Sequence, residues 1–236
     1  MRTQEVSAIS LQRRIEGMPP LRALRLLAEV FPRKCVFSTS FGMEDQAVTD
    51  MIAAEGIPIR IFTLDTGRLF PETHATWSAT VERYRVPIEV YVPDAAALGG
   101  FMASNGPNAF YESVALRKEC CRIRKVEPLR RALAGNRLWV TGIRSGQSAH
   151  RGGLPSIEWD EAFGLFKYHP LLHWSLEELR GYLRERGVPL NPLHDRGFPS
   201  IGCAPCTRAV REGEDIRSGR WWWEDNDKRE CGLHAR

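Results

Sequence analysis

The sequence lacks most of the features that mark a special class of protein. No stretch approaches the length of a membrane span, and Met1-Arg2-Thr3-Gln4-Glu5 lacks the apolar core of a signal peptide. There is no internal repeat and no low-complexity segment. Six cysteines scattered over 236 residues do not make a secreted disulfide framework. Charge of one sign is not in large excess either. The formal net charge of +4 suits a small anionic substrate and is weak ground for nucleic-acid binding. Together these absences predict a cytoplasmic, soluble chain without membrane or nucleic-acid partners. What is present, 43% hydrophobic residues, is enough to bury one substantial core, or one core and a small appendage.

The pattern along the chain alternates. Leu21, Leu24, Leu27 and Val30 recur at helical spacing, and Lys34–Thr39 is short and β-prone. That strand runs into Ser40-Phe41-Gly42-Met43-Glu44-Asp45-Gln46 and then a helix to about Glu55. Strand, small-residue turn and helix is an arrangement that aims backbone N–H groups at a phosphate, although many such turns contain Ser and Gly for conformational reasons alone. Pro58–Thr63 reads as a second strand, and the helix after Phe70 has Pro71 in its first turn. Ile88–Val92 and Leu138–Thr141 read as further strands, with a mostly helical stretch from Ala95 to about Gly135 between them. Gly164–Tyr168 reads as a fifth strand, and Ser175-Leu176-Glu177-Glu178 is a capping box opening a helix to about Arg186. The expected fold class is α/β, a single, mainly parallel sheet flanked by helices. Its ligand then binds beyond the carboxyl ends of the strands, where the loops after Ser38, Phe62-Thr63 and Val140-Thr141 meet.

Four cysteines fall in two pairs, Cys120-Cys121 and Cys203-Ala204-Pro205-Cys206. Two pairs of thiolates supply the four soft ligands that zinc or an iron–sulfur cluster requires. Adjacent cysteines on a helix diverge by about 100°, which suits a cluster with several irons better than one ion. A lone CxxC also fits structural zinc or a redox dithiol. Cys35, in the run Cys35-Val36-Phe37, reads as core filling. Cys231, in Lys228-Arg229-Glu230-Cys231-Gly232-Leu233-His234, has basic neighbours and a polar setting that favour thiol chemistry. From about Thr207 the chain becomes highly charged, with Trp221-Trp222-Trp223 in its midst. Three adjacent tryptophans predict a tail that docks over the ligand site and moves between dockings, and a partner-binding tail is the competing reading. The division expected is a domain over residues 1–206 and a mobile C-terminal tail over 207–236.

These residues resemble the assimilatory sulfonucleotide reductases, specifically the iron–sulfur adenylylsulfate (APS) reductases, from Ser38 to His234. Ser38-Thr39-Ser40-Phe41-Gly42-Met43-Glu44-Asp45 resembles the family's phosphate loop, a relative of the ATP pyrophosphatase loop without its lysine. Leu64-Asp65-Thr66-Gly67 resembles the second nucleotide-contacting motif. Lys118-Glu119-Cys120-Cys121 and Cys203–Cys206 resemble the two cluster-binding halves. Arg217-Ser218-Gly219-Arg220-Trp221-Trp222 and Glu230–His234 resemble the substrate-clamping tail and its nucleophile.

The resemblance implies an adenine-nucleotide α-hydrolase-like domain that converts APS to sulfite and AMP, one [4Fe–4S] cluster on Cys120, Cys121, Cys203 and Cys206, and thioredoxin or glutaredoxin as donor. It implies substrate contacts from Ser38, Ser40, Phe41, Gly42, Asp65, Thr66, Gly67, Lys118, Arg144, Arg217 and Arg220. Cys231 is implied as nucleophile, forming an S-sulfocysteine with AMP as leaving group, with His234 beside it and Lys118 coupling the cluster to the sulfate. The cations offset the negative charge that repels a thiolate. His150, His169, His173 and His194 are expected to be structural or surface residues. Three alternatives remain: reduction of the 3′-phosphorylated substrate (PAPS), an ATP-dependent adenylyltransferase, and a zinc-stabilised nucleotide-binding module. A monomer and a homo-oligomer are both open.

Overall fold

The computed structural model of the protein describes residues 7–147, 153–211 and 213–224. Six strands form one sheet: β1 (Cys35–Thr39), β2 (Arg60–Leu64), β3 (Ile88–Tyr91), β4 (Leu138–Val140), β5 (Ile157–Asp160) and β6 (Leu165–Tyr168), in the order β3-β2-β1-β4-β6-β5. All neighbours are parallel except β5 and β6. Among the described residues eight α-helices accompany them: α1 (Ala8–Ile15), α2 (Pro20–Val30), α3 (Met43–Ala54), α4 (Pro71–Tyr84), α5 (Ala95–Asn105), α6 (Val114–Cys121), α7 (Glu127–Leu133) and α8 (Leu176–Glu185).

Alternation along the central strands gives the sheet two buried faces. Cys35 and Phe37 of β1 join Leu138, Val140 and Ile61 in a core completed by α1, α2, α3 and α8. Val36 faces the other way, with Phe62 and Trp139, against Leu129, Ala132 and Leu133 of α7. A strand buried on both faces must be apolar throughout, which is why Cys35-Val36-Phe37 has no polar residue. Cys35 is core, as expected; burial pushes its thiol up to about 12, and the thiol donates to the Phe31 carbonyl at 3.3 Å. The Ser175 capping box of α8 is present, with Ser175 and Glu178 bonded in both directions.

A third, smaller core gathers Phe110, Cys121, Cys203, Cys206 and Trp221, with Cys120 and Trp223 against it. It joins α6 to the chain after Cys206. Trp221 N–H donates to the Cys206 carbonyl, Arg208 N–H to Gly219 and Val210 N–H to Gly197. Residues 207–211 and 213–224 are thus seated on the domain. No helix among the described residues is long and apolar enough to cross a membrane.

Candidate active site

Strand order reverses between β1 and β4: from β1 the chain builds outward through β2 and β3, then crosses back to lay β4 on the other side of β1, with β6 and the edge strand β5 beyond it. Such a switch point opens a crevice at the carboxyl ends of the strands. A cleft of about 580 Å³ lies there, lined by Ser38 and Thr39 at the end of β1, Thr63 and Leu64 of β2, and Trp139 and Thr141 around the end of β4.

The loop from β1 into α3 forms one wall. Ser40 donates both its N–H and its hydroxyl to Asp45 Oδ2, each at 2.6 Å, and Phe41 takes a left-handed φ of +61°. The Asp45 carboxylate also lies so close to Gly142 that a Cβ there would collide with it, which ties the β1 loop to the β4 loop. Enclosed in this way, Asp45 is pushed by burial up to about 6 despite its bonds from Ser40. Gly42 caps α3 without a side-chain bond, leaving the first-turn amides open at the cleft wall.

The cleft is cationic. Lys125, Arg144, Arg180, Arg211, Arg217 and Arg220 line it against the carboxylates Glu44, Asp45 and Glu214. Arg144 is buried, its Nε 3.2 Å from Glu44 Oε1. Arg220 is buried with its guanidinium carbon 4.8 Å over the Trp221 ring. It lies against Gly202, where any side chain would displace it. His194, expected to be structural or surface, reaches the cleft rim and is fixed by its Nδ1 contact with the Phe198 carbonyl at 2.9 Å.

Beside the cleft lies a water-sized cavity of about 20 Å³ lined by all four paired cysteines, with Arg68, Phe110, Arg117, Arg124, Lys125, Pro205 and Trp221. Lys125, Cys203 and Trp221 line both spaces. Thr66 joins them from the cleft side, its Oγ1 3.3 Å from Cys203 Sγ. Arg124 donates to the Thr66 carbonyl at 2.6 Å and hydrogen-bonds Cys120. Burial raises the thiols of Cys120 and Cys206, the latter to about 12, while Lys125 pulls in the opposite direction on both. Among the described residues no three His, Cys, Asp or Glu converge on a single metal ion. The chemistry of the donor set, four soft thiols facing one cavity with cations around it, fits a polynuclear thiolate-bound group better than one ion. Seating it requires the surrounding side chains to spread.

Of the residues expected to contact substrate, Ser38, Ser40, Phe41, Gly42, Thr66, Arg144, Arg217 and Arg220 line the cleft. Asp65 and Gly67 do not. Asp65 Oδ1 accepts from Gly67 N–H at 2.9 Å, and Gly67 takes a φ of +67°. They shape the turn that presents Thr66. Lys118 is exposed on α6 and lines neither space; its neighbour Arg117 turns inward instead. Lys125, which the sequence reading missed, occupies the shared wall. The cause is a π-helical turn over Arg122–Val126, which buries Ile123, Arg124 and Lys125 in succession. Cys231 and His234 lie outside the described residues.

Arg117 and Glu224 form the anchor of the segment after Cys206. They pair in bidentate fashion, Nε to Oε1 at 2.9 Å and Nη2 to Oε2 at 2.7 Å, with their side chains 1% and 3% exposed. Arg117 also lies 4.8 Å over Trp221, so that ring sits against two guanidinium groups. Trp223 packs edge-on against Tyr111, and Trp222 is partly exposed.

Residues 34–209 match the phosphoadenosine phosphosulfate reductase domain family. The chain belongs to that family. The adenosine 5′-phosphosulfate reductase of Allochromatium vinosum is 51% identical over 91% of this chain and 84% of the relative. The enzyme of the same name from Burkholderia cepacia is 53% identical over 89% and 84%. Among solved structures, the phosphoadenylyl-sulfate reductase of Candida auris superposes with a TM-score of 0.74 at 28% identity, covering 86% of this chain and 96% of that one. The FMN adenylyltransferase of Candida glabrata, at 16% identity and a TM-score of 0.56 over 98% and 80%, shares the fold alone. The same sheet architecture is thus found in proteins named for reductase and for adenylyl-transfer chemistry.

Proposed function

We propose that this protein reduces adenylylsulfate to sulfite and AMP. The observation that carries the reading is the shared wall of Lys125, Cys203 and Trp221 between a cationic nucleotide-sized cleft and a four-thiol cavity. An adenylyltransferase needs no such thiol site, and this loop has Met43 and Glu44 without a lysine.

The cleft's cations bind the phosphate and sulfate and offset the charge that repels an incoming thiolate. Arg144, Arg217 and Arg220 take that role, with Lys125 in place of Lys118. The open amides of α3 add donors. Cys231 attacks the sulfur, the S–O bond to AMP breaks, and AMP leaves with the bonding pair, giving an S-sulfocysteine. A dithiol such as thioredoxin or glutaredoxin then releases sulfite, being oxidised to its disulfide as Cys231 returns to the thiol. His234, three residues from Cys231 in sequence, is the group to assist that thiolate.

Cys120, Cys121, Cys203 and Cys206 would hold one [4Fe–4S] cluster, which would supply structural order and local charge to the cleft. Thr66 and Arg124 fix the thiol side chains, and Lys125 adds a positive charge between that site and the anion. Free thiols and dependence on an external dithiol suit the reducing cytoplasm.

The test is sulfite formation by the anaerobically purified protein with thioredoxin, comparing APS with PAPS, alongside iron and acid-labile sulfide analysis. Sulfite from APS and iron matched by sulfide are expected. Turnover of PAPS alone would change the substrate, and a colourless zinc protein forming no sulfite would replace the reading by a nucleotide-binding module.

A further inference from the structure

Ser38, at the end of β1, and Ser40, in the loop that follows, both line the cleft and have opposite hydrogen-bond states. The Ser40 hydroxyl donates to Asp45, so its proton is committed within the protein. The Ser38 hydroxyl instead accepts, from the indole N–H of Trp139 at 2.8 Å, and among the described residues it donates to nothing. A hydroxyl has one proton. With a lone pair of Ser38 held by the indole, that proton is directed elsewhere, and Ser38 faces the cleft.

The indole is held for this task. Val36 and Trp139 are paired Cα neighbours on β1 and β4, so the ring lies on the face that Val36 and Ser38 share, and it reaches one pleat along to Ser38. Trp139 is 1% exposed and fixed edge-to-face by Phe163. On β6, Lys167 is buried, bonded to Asp160 at 3.2 Å, and its ammonium stands 4.6 Å from the ring centroid. A cation against the π-system withdraws density from the ring and strengthens its N–H as a donor.

We propose that Trp139 is a positioning residue, whose N–H orients the Ser38 hydroxyl to donate to an acceptor oxygen of the bound nucleotide. The inference rests on the nucleotide reading of the cleft. Ser38 is thereby a ligand donor and Ser40 a loop-forming residue, although they are two positions apart in the same motif.

The experiment is titration calorimetry of the holoenzyme with AMP. The variants are Ser38→Ala, the replacement of Trp139 by β-(3-benzothienyl)alanine, which keeps the bicyclic ring and lacks the N–H, and the two combined. Trp139→Phe serves as a second single variant, with thermal unfolding recorded for each. Loss of one hydrogen bond to the ligand is worth about tenfold in affinity, about 1.4 kcal/mol. Each single change is expected to weaken AMP binding by about that factor, and the combination to be no weaker than Ser38→Ala alone. That non-additivity is the decisive readout, because a ring that only fills space would add its own loss. Unaltered affinity without the indole N–H, or additive losses in the combination, would overturn the proposal while leaving the nucleotide reading intact. Failure of the unsubstituted protein to bind AMP would remove both.

Discussion

Replacing Glu224 by Ala should release the segment that leads to the last residues of the chain. The carboxylate makes two charge-assisted bonds to Arg117, and both side chains are almost wholly enclosed. Removing one partner of such a pair leaves a buried charge without its counter-ion, which costs about 3–5 kcal/mol. Arg117 keeps its stacking on Trp221 with or without Glu224, so that contact leaves the difference unchanged. A loss of about 3–5 kcal/mol corresponds to about 6–20 °C in Tm for a chain of this size if it is felt globally. Undocking of residues 207–224 limits the global loss, because the protein can relieve the charge by releasing that segment. Hydrogen exchange therefore reads the event better than melting alone. The amides of Arg208, Val210 and Trp221, each bonded to a carbonyl distant in sequence, should lose protection, while those of β1 and β4 keep it. Restoring shape without charge, in Arg117→Met with Glu224→Leu, should recover much of the protection. Unchanged exchange over 207–224 with a Tm loss below about 1 °C in Glu224→Ala would refute the anchoring argument.

Two further outcomes follow from the site. Lys125→Ala should lower kcat/KM for APS by at least about tenfold, the equivalent of one charge-assisted contact, whereas the exposed Lys118→Ala should leave it within about twofold; steady-state kinetics checks both, and the reverse order would return the role to Lys118. Asp45 is raised to about 6 from its ordinary 3.8, so the folded state binds the extra proton between those values. Its contribution to stability therefore falls as pH rises through about 4 to 6 and is flat above. The Tm of Asp45→Asn should gain on the unsubstituted protein across that window alone, and parallel curves would count against the enclosure of this carboxylate.

Much of the architecture was legible because each central strand is a short apolar run ended by small or polar residues, and the switch-point cleft follows from parallel order alone. The capping box at Ser175 stood out for the same reason, as a local pattern with a local cause. The misses have identifiable causes too. The first helix, α1, is capped by Ser7 with Ser10 in the reciprocal place, outside the usual pattern ending in Glu or Gln. The antiparallel edge strand β5 reads Ile157-Glu158-Trp159-Asp160, with two acids in four residues, and forms by pairing with β6 rather than by its own propensity. At the site, proximity to Cys120-Cys121 in sequence favoured Lys118. The π-helical turn after Cys121 shifts the helical phase by one residue and brings Lys125 inward, a register change that no residue type announces. Asp65 and Gly67, expected to contact the nucleotide, serve the turn, while Thr66 between them carries the contact with Cys203.

The central claim is that a cysteine of this chain takes the sulfur of adenylylsulfate onto itself. The most direct measurement is anaerobic mixing of the protein with APS labelled in its sulfur, without any thiol, followed by peptide mapping. Label on Cys231, absent from Cys231→Ser and released as sulfite when reduced thioredoxin is added, is the predicted result. Label on another cysteine, or sulfite formed at the normal rate by Cys231→Ser, would contradict it.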